Sequence, residues 1–207
     1  MASAFQPSLL DVSQEPGTGD LTGIRRTPLV HGAWLDSLPG WVRGADALFE
    51  RLVEVVPWHA ERRTMYDQVV DVPRLLSYYG KGQDLPDPAL EEIRRALDDY
   101  YLPELGESLC TAGLCLYRDG RDSVAWHGDT SGRRVSRTIV AIVSLGSPRA
   151  LLLRPRTGGR TLRCVVGHGD LLVMGGTCQR SWLHAVPKTA KPTGPRISVQ
   201  FRPFGVR

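Results

Sequence analysis

The second half of the sequence changes texture near residue 112, where short β-branched and apolar runs begin to alternate with glycine and proline. Such runs predict β-strands separated by turns. The predicted strands cover residues 112–117, 124–126, 136–145, 150–155, 161–166, 170–174, 182–185 and 196–202. Gly158 and Gly159 lie between two of them and indicate a hairpin. About eight short strands without intervening helices indicate a β-sandwich or barrel of the jelly-roll kind.

Two earlier segments have helical periodicity instead. Residues 45–56 place apolar side chains at helical spacing before Pro57, which ends a helix. In residues 88–102, Pro88 suits a first helical turn, and four apolar residues form one stripe, namely Leu90, Ile93, Leu97 and Tyr101. The predicted fold is therefore mainly β with flanking α. Residues 1–25 are predicted to be a flexible arm, residues 26–111 a helical support, and residues 112–207 the jelly-roll core.

Composition is that of an ordinary globular domain, with 207 residues, 42% of them hydrophobic and 23% charged. No apolar run approaches the roughly 20 residues that span a bilayer, and residues 1–16 lack a leader pattern, so a cytoplasmic protein is expected. The four cysteines form no Cys-x-x-Cys pair and are expected to be reduced thiols. The net charge of +4 is compatible with nucleic acid as a partner, and a monomer is expected.

The sharpest local motif is Trp126-His127-Gly128-Asp129. Positions two apart on a strand face the same side, so His127 and Asp129 can direct an imidazole and a carboxylate at one point. His184, on a later predicted strand, can supply a third ligand. Two histidines and one carboxylate favour non-haem iron(II) over zinc and leave metal positions open for a co-substrate and dioxygen. The alternative for His127 is a buried, hydrogen-bonded histidine.

A second His-x-Asp, formed by His168 and Asp170, competes for the same role. We favour His127 because it follows a polar, glycine-containing loop at residues 118–123, where a site can open to solvent. His168 lies only a hairpin before His184, which leaves too few strands between the ligands to close a barrel around a metal. Two glycines flank His168, and this pattern favours a histidine in a turn.

The last predicted strand alternates between two faces. One face is apolar, and the other carries Arg196, Ser198, Gln200 and Arg202. The polar face either lies in water, as in many half-exposed strands, or points into the barrel. Inside the barrel an unpaired guanidinium is costly unless an anion binds it. A ligand that chelates iron at one end and carries a carboxylate at the other fits this pairing of triad and arginine, and 2-oxoglutarate is such a ligand.

Several motifs occur together and in order between residues 62 and 202, which is most of the chain. They are Val72-Pro73-Arg74, Tyr79-Gly80, Tyr117-Arg118-Asp119-Gly120, Asp122, Trp126-His127-Gly128-Asp129, Gly169-Asp170-Leu171-Leu172, Met174, Gly175-Gly176, Gln179, Trp182, His184, Arg196 and Arg202. In this combination the sequence resembles the AlkB family of Fe(II)/2-oxoglutarate-dependent dioxygenases. The resemblance assigns Asp170 to a structural strand of the family and not to the metal site.

The resemblance implies a single dioxygenase domain at residues 26–207, with a double-stranded β-helix core, N-terminal helices and a nucleotide-recognition lid within residues 26–111. It also implies the roles of the site residues. The triad of His127, Asp129 and His184 would hold Fe(II). Arg196 would pair with the distal carboxylate of 2-oxoglutarate, and Tyr117 would hydrogen-bond to the co-substrate. Ser198 would line the same pocket, and Arg202 would help to close the site near the chelating end.

The reaction implied by the resemblance is oxidative demethylation of N-alkylated nucleobases such as 1-methyladenine and 3-methylcytosine. DNA is the expected polymer and RNA an alternative. Oxygen is the second co-substrate, and the products are formaldehyde, succinate and CO2. The sequence departs from the family at two positions. Cys115, part of the co-substrate pocket, stands where the family usually has Asn, and a thiol is the weaker hydrogen-bond partner. Ser131 replaces an acidic residue that some members direct at the base, with Arg133 and Arg134 close behind.

The segment at residues 58–66 interleaves aromatic and cationic side chains where AlkB-like proteins have the lid. A flipped base needs stacking surfaces and its backbone needs cations. Trp58 and Tyr66 are candidates for stacking, unless they pack under the first helix. Arg62 or Arg63 is a candidate for phosphate contacts, and Met65 lies in the same segment. A second basic group, including Arg137, Lys188 and Lys191, lies on the expected rim of the site or forms an ordinary solvated surface.

Two other functions remain open at this point. One is a same-fold oxygenase that hydroxylates or demethylates a protein, a lipid or a small metabolite. The other is a non-catalytic nucleic-acid-binding module. The aromatic and basic residues of the lid and rim favour the nucleobase substrate over the first alternative. The presence of all three triad residues and both arginines argues against the second.

Overall fold

The computed structural model describes residues 15–65, 68–129 and 136–206, without the side chains of residues 62–71. Strands in these ranges are β1 (Gly17–Thr18), β2 (Arg25–Pro28), β3 (Ala33–Leu38), β4 (Val42–Arg43), β5 (His59–Met65), β6 (Gln68–Tyr79), β7 (Leu109–Tyr117), β8 (Val124–His127), β9 (Val140–Gly146), β10 (Arg149–Pro155), β11 (Leu162–Val166), β12 (Asp170–Gly176), β13 (Trp182–Val186) and β14 (Arg196–Pro203). Helices are α1 (Ala45–Val55), α2 (Pro88–Leu105) and α3 (Cys178–Ser181), with a 3-10 turn at Val30–Gly32.

Two antiparallel sheets form a jelly roll. The major sheet has eight strands in the order β2-β3-β12-β9-β14-β7-β6-β5, and the minor sheet has four in the order β11-β10-β13-β8. The short pair β1-β4 forms a further two-stranded sheet, which ties Gly17–Thr18 to Val42–Arg43. The prediction of a mainly β jelly roll with flanking helices is therefore confirmed. Residues 1–14, most of the predicted arm, lie outside the described residues.

Strand β14 shows how the core is divided between the two faces of the major sheet. Ile197, Val199 and Phe201 are fully buried in an apolar cluster that also contains the inner sides of α1 and α2. The alternate residues, including Arg196 and Ser198, line a cavity between the major and minor sheets. The period of two in the sequence thus separates a helix-covered apolar layer from a polar interior. Of the two interpretations of this strand, the one with an inward-facing polar side is correct.

Helix α2 covers the outer face of the major sheet. Asp87 caps its first turn by accepting a hydrogen bond from the Ala89 amide at 2.9 Å, directly before Pro88. The predicted stripe of Leu90, Ile93, Leu97 and Tyr101 is buried. The helix runs past the predicted end at residue 102 and includes Pro103, because a proline in the last turn removes only one hydrogen bond of the helix. It ends at Gly106, whose left-handed backbone (φ 73°) places its amide on the Leu102 carbonyl.

Strands β5 and β6 were not predicted, since residues 26–111 were expected to supply only helices and a lid. They pair with each other and extend the edge of the major sheet beside β7. Pro73 is the reason that the pattern was hidden, because a proline inside a strand cannot donate to a ladder. Pro73 lies opposite the register irregularity of β5, between Ala60 and Arg62. On its other side it lies beyond Leu75–Leu116, the last pair that β6 forms with β7.

Two details of the predicted strands are also resolved. Strand β9 begins at Val140 and not at residue 136, because the preceding polar residues turn toward β12, with the Thr138 amide donating to the Gly176 carbonyl at 3.0 Å. The predicted hairpin at Gly158 and Gly159 is confirmed. Both glycines have positive φ angles, 88° and 125°, and they join the antiparallel strands β10 and β11. Among the described residues, none of the helices has the length and apolar character needed to cross a membrane.

Candidate metal centre

Three side chains of the predicted triad meet at one edge of the minor sheet. His127 ends β8, and His184 lies directly opposite it on β13, with ring centroids 4.1 Å apart. Asp129 follows just after β8, and its Oδ1 atom lies 3.8 Å from Nε2 of His127 and 3.9 Å from Nε2 of His184. One ligand atom from each residue can be chosen so that all lie within 4.8 Å of one another. A single metal ion fits among them.

The histidine rings are oriented for metal binding. Nδ1 of His127 lies 2.8 Å from the Ala125 carbonyl, which can only accept, so Nδ1 carries the proton and Nε2 keeps a free lone pair. Burial is the largest cause that lowers the pKa of both histidines, to about 3 for His184. Both rings are therefore neutral near pH 7, the state in which imidazole binds a metal.

Asp129 is held from both sides. Arg202 donates through Nε to Oδ2 at 2.5 Å, and the Asp129 amide donates to Oε1 of Gln179 at 3.1 Å. Burial raises the pKa of the Asp129 carboxyl, but the positive charge of Arg202 and its hydrogen bond to the carboxylate outweigh this effect, so the pKa lies below its usual value. The carboxylate is therefore ionised, with Oδ1 directed at the histidines.

The competing motif lies elsewhere. His168 accepts a hydrogen bond from the Gly146 amide at 2.8 Å through Nδ1, and its Nε2 lies 3.1 Å from Oδ1 of Asp46 on α1. Asp170 accepts from the amides of Gly40 and Gly167. These contacts fasten a turn, in agreement with the interpretation of His168 as a turn histidine.

A cavity of about 80 Å³ extends from the triad between the two sheets. Its polar wall includes the predicted co-substrate residues Tyr117, Cys115, Arg196, Ser198 and Arg202. Its apolar wall is formed by aliphatic side chains, among them Val124, Ile142, Leu151, Met174 and Val186.

Arg196 is the group in this wall that most needs a partner. Its side chain is 3% exposed, and Nε donates to the Ser144 hydroxyl at 2.8 Å. Its Nη1 atom has no hydrogen-bond partner among the described residues, and burial lowers the pKa of the guanidinium. A buried cation with a free donor is costly, and a carboxylate from a ligand would remove that cost. The donor set thus fits a dicarboxylate that reaches from the metal to Arg196.

Tyr117 is the cross-strand partner of Arg196, whose guanidinium lies 5.3 Å from the tyrosine ring centroid. Burial raises the pKa of the Tyr117 hydroxyl to about 12, so the hydroxyl stays a donor at neutral pH. Arg149, which sequence reasoning missed, lies 5.5 Å from the same ring. It donates to the backbone carbonyls of Asp119, Asp122 and Pro187 and so fixes the loop beneath Tyr117. A buried arginine at a strand start carries no local sequence signal.

The predicted substrate residues are less fully described. Trp58 is half-buried and packs against the helix-side apolar cluster, the placement named as its alternative. Tyr66 and the segment at residues 130–135, which contains Ser131, Arg133 and Arg134, lie outside the described residues. So do the side chains of Arg62, Arg63 and Met65, whose backbone belongs to β5. Substrate contacts by these residues stay predictions.

Trp126 lies on the face of β8 opposite to the metal ligand His127. The side chain is half-exposed, and the guanidinium of Arg154 lies 4.2 Å from its ring centroid. Arg156, also missed, is exposed and extends over Gly128, where a Cβ would lie 2.5 Å from its Nη2 atom. Gly128 is therefore required between the two metal ligands, since any side chain there would displace Arg156 or meet the Gln179 carbonyl at 2.9 Å.

The site combines two histidines and one carboxylate, opens into a jelly roll and lies beside a buried arginine with a free donor. These features define the non-haem iron oxygenases that use a 2-oxo acid. Comparison with known proteins agrees with that class. The model of the 2OG-Fe(II) oxygenase superfamily matches residues 38–202. The alpha-ketoglutarate-dependent dioxygenase alkB homolog 3 of Bos taurus is 31% identical over 199 residues, covering 87% of this chain and 67% of the relative.

The DNA oxidative demethylase ALKBH2 of Arabidopsis thaliana is 32% identical over 138 residues, covering 56% of this chain and 43% of the relative. The solved structure of OsALKBH1 superposes with a TM-score of 0.62 at 16% identity over 85% of this chain and all of that one, which supports the fold. The chain belongs to the 2OG-Fe(II) oxygenase superfamily, as a dioxygenase of the AlkB type that uses Fe(II), 2-oxoglutarate and O2.

Proposed function

We propose that this dioxygenase demethylates N-alkylated bases of the 1-methyladenine and 3-methylcytosine type in DNA, with RNA as a second polymer. The products are formaldehyde, succinate and CO2. The observation that carries the nucleic-acid part is the distribution of charge around the metal centre. The name of the Arabidopsis thaliana relative, a DNA oxidative demethylase, supports the same substrate class.

Charge is divided unevenly between the two parts of the sequence. Residues 130–207 contain a single acidic residue, Asp170, against fourteen lysines and arginines. The four strands of the minor sheet contain no Asp or Glu. The acidic residues lie in the N-terminal part, which supplies helices α1 and α2. The net charge of +4 thus conceals a strongly basic C-terminal part of the sequence, which is the charge that a polyanion ligand favours.

Several of these arginines lie on the minor sheet, which also carries the metal-binding histidines. We use the term basic wall for the outward-facing side chains of the minor sheet and its hairpin, namely Trp126, Arg154, Arg156, Arg160 and Arg163. Arg156, Arg160 and Arg163 are exposed, and Arg154 pairs across the strands with Leu183 while it stacks on Trp126. An aromatic ring among arginines suits a single strand, since bases stack on the ring while phosphates meet the guanidinium groups.

The site opens over His127, next to Arg156 of the basic wall. The His127 side chain is 39% exposed, whereas those of Asp129 and His184 are only 3% and 9% exposed. A base that leaves the stack would therefore approach over His127, with Arg156 beside it at Gly128. Arg156 would hold the phosphate backbone while the methyl group enters the site.

Inside the site each described residue has one task under this proposal. His127, Asp129 and His184 hold the iron, and Arg202 fixes the carboxylate of Asp129. When bound, Fe(II) and 2-oxoglutarate supply the oxidising power that activates O2 toward a methyl C–H bond.

Arg196 would pair through its free Nη1 with the distal carboxylate of the co-substrate, and the Tyr117 hydroxyl would donate to the co-substrate, with Ser198 and Cys115 in the same wall. The aliphatic side chains opposite exclude water. In the overall reaction, one oxygen atom of O2 would end in succinate, formed with CO2 from 2-oxoglutarate, and the other would enter the N-methyl group. The hydroxymethyl product then releases formaldehyde and leaves the unmodified base.

The test is anaerobic loading with Fe(II) and 2-oxoglutarate, followed by aerobic incubation with an oligonucleotide that carries one 1-methyladenine or 3-methylcytosine. Mass spectrometry follows the methyl group, and succinate is measured in parallel. The matched variants are His127→Ala and His168→Gln, the second of which keeps an acceptor for the Gly146 amide. We expect methyl loss with the wild type and with His168→Gln but not with His127→Ala.

Succinate formation with every methylated base left intact would overturn the substrate and favour an oxygenase that acts on a protein, a lipid or a small metabolite. Absence of succinate as well would favour a non-catalytic nucleic-acid-binding module. A DNA and an RNA oligonucleotide of the same sequence decide between the two polymers.

A further inference from the structure

A small polar network fills the cavity wall where the family usually has an asparagine. Cys115 occupies that position on β7, and Ser198 on β14 is its cross-strand partner. The side chain of Gln200, the next residue on the same face of β14, folds back over Ser198. Its Nε2 lies 2.7 Å from the Ser198 hydroxyl and 2.9 Å from the Ser198 carbonyl, and the Cys115 thiol donates to its Oε1 at 3.7 Å.

The orientation of the Gln200 amide follows from these partners. The Ser198 carbonyl only accepts, so the atom 2.9 Å from it must be the NH2 group. Oε1 then faces Cys115, whose thiol can donate to it. Both partners agree on one arrangement of the amide.

This arrangement also orients the Ser198 hydroxyl. Its oxygen accepts from Gln200, so its own proton must be directed elsewhere, and it has no acceptor among the described residues. Both Ser198 and the free Nη1 of Arg196 line the cavity. The Ser198 hydroxyl and Nη1 of Arg196 are therefore two donors without acceptors in one enclosed cavity. A ligand that carries a carboxylate would supply the acceptors that they lack.

Gly113 provides the room for this arrangement. It is the cross-strand partner of Gln200, and a Cβ there would lie 3.3 Å from Oε1 of Gln200 and 3.0 Å from Nη1 of Arg202. The absence of a side chain at this position lets Gln200 lie flat against β7. The chain thus combines Gly113, Cys115, Ser198 and Gln200 into one unit on two neighbouring strands.

We propose that Gln200 is a positioning residue for 2-oxoglutarate. Its amide takes the place in the cavity wall of the amide that is missing at Cys115, and it directs the Ser198 hydroxyl at the co-substrate. The inference rests on the dioxygenase class of the chain and is independent of the nucleobase substrate. It accounts for a thiol at position 115, because the hydrogen-bonding amide is supplied from the neighbouring strand.

The test measures co-substrate binding and not turnover. The protein is loaded with Mn(II) under anaerobic conditions, and the dissociation constant of 2-oxoglutarate is determined by calorimetry. Gln200→Met keeps the length of the side chain but removes the amide, and we expect it to weaken binding about tenfold, as for one lost charge-assisted hydrogen bond. Gln83→Met, a change at an exposed glutamine far along the sequence, is the matched control.

Two further variants separate positioning from general damage. Ser198→Ala should weaken binding by a similar factor, and in the double variant with Gln200→Met the two effects should not multiply, because Gln200 acts through Ser198. Cys115→Asn in the Gln200→Met background should restore most of the affinity, since it returns an amide to the wall. Unfolding temperatures without ligand report on the fold, and Gln200→Asn replaces Gln200→Met if that protein does not fold.

Wild-type affinity in Gln200→Met, or no rescue by Cys115→Asn, would overturn the proposal. Neither outcome depends on whether a methylated base is the substrate.

Discussion

The Nε atom of Arg202 lies 2.5 Å from Oδ2 of Asp129, so the last strand of the major sheet holds a metal ligand that follows the edge strand of the minor sheet. With Oδ2 engaged by the guanidinium, Oδ1 is left to face both histidines. The two sheets of the jelly roll are therefore joined at the metal centre by one ion pair.

Removing this ion pair should weaken metal binding. We expect Arg202→Met to lower the affinity for Fe(II) about 10–100-fold, the range typical for lost contacts behind a metal ligand. Equilibrium dialysis under anaerobic conditions measures the effect. Arg121→Met removes an exposed arginine that pairs with Asp119 and is the control. Equal metal affinity in wild type and Arg202→Met would mean that the ion pair does not support the ligand.

Arg196 should contribute to co-substrate binding and not to the stability of the ligand-free protein. Its buried guanidinium has no counter-charge among the described residues, so Arg196→Met should be as stable as wild type or more stable by up to about 2 kcal/mol. The same variant should lose the stabilisation that 2-oxoglutarate gives to the wild type. Thermal unfolding with and without 2-oxoglutarate measures both effects. A strongly destabilised ligand-free variant would instead indicate a structural role for the guanidinium.

Tyr117 predicts a dependence of stability on alkaline pH. An unfolded tyrosine ionises near pH 10, and burial raises the pKa of Tyr117 to about 12. Between these values the unfolded chain has released a proton that the folded chain keeps, so wild-type stability falls as the pH rises from about 10 to about 12. Tyr117→Phe lacks this loss. Denaturant unfolding at several pH values gives the free energy of unfolding of both proteins. The difference between wild type and Tyr117→Phe should be constant below pH 9, and above pH 10 the variant should become relatively more stable. Parallel curves would contradict the prediction.

The basic wall predicts a salt-dependent contact with nucleic acid. Arg156→Gln should weaken binding of an unmodified single-stranded oligonucleotide and reduce the slope of log K against log salt by about 1, because one phosphate contact is lost. Fluorescence anisotropy at several salt concentrations measures the slope. Arg95→Gln changes an exposed arginine on α2 and should leave the slope unchanged. Equal slopes in all three proteins would exclude Arg156 as a phosphate contact.

The parts of the molecule that could be predicted are those where functional residues alternate along a strand, so that every second side chain lies on the same face. The spacing of His127 and Asp129 predicts two ligands on one side of the chain, and the alternation from Arg196 to Arg202 predicts one polar face. Both were found as expected. The resemblance to a family then decided between the two His-x-Asp motifs, which local patterns alone had only weighed.

The parts that could not be predicted depend on contacts between strands. Pro73 concealed β6, because its tolerance relies on a register irregularity in β5. The outward placement of Trp126 is stabilised by Arg154, which comes from a different strand and stacks on the ring. The fold-back of Gln200 depends on the glycine opposite it on β7. The domain boundaries, the substrate contacts of the lid and the expected monomer stay predictions.

Strand β8 is the edge of the minor sheet, and it pairs with β13 at only two positions, His127–His184 and Val124–Val186, with an irregularity between them. One of these two pairs consists of the metal-binding histidines. An ion bound by both rings therefore fastens the edge strand to its neighbour, and the strand cannot open while the ion is held. Metal affinity then includes the free energy of keeping this edge closed, so hydrogen exchange of the β8 amides would report metal occupancy directly.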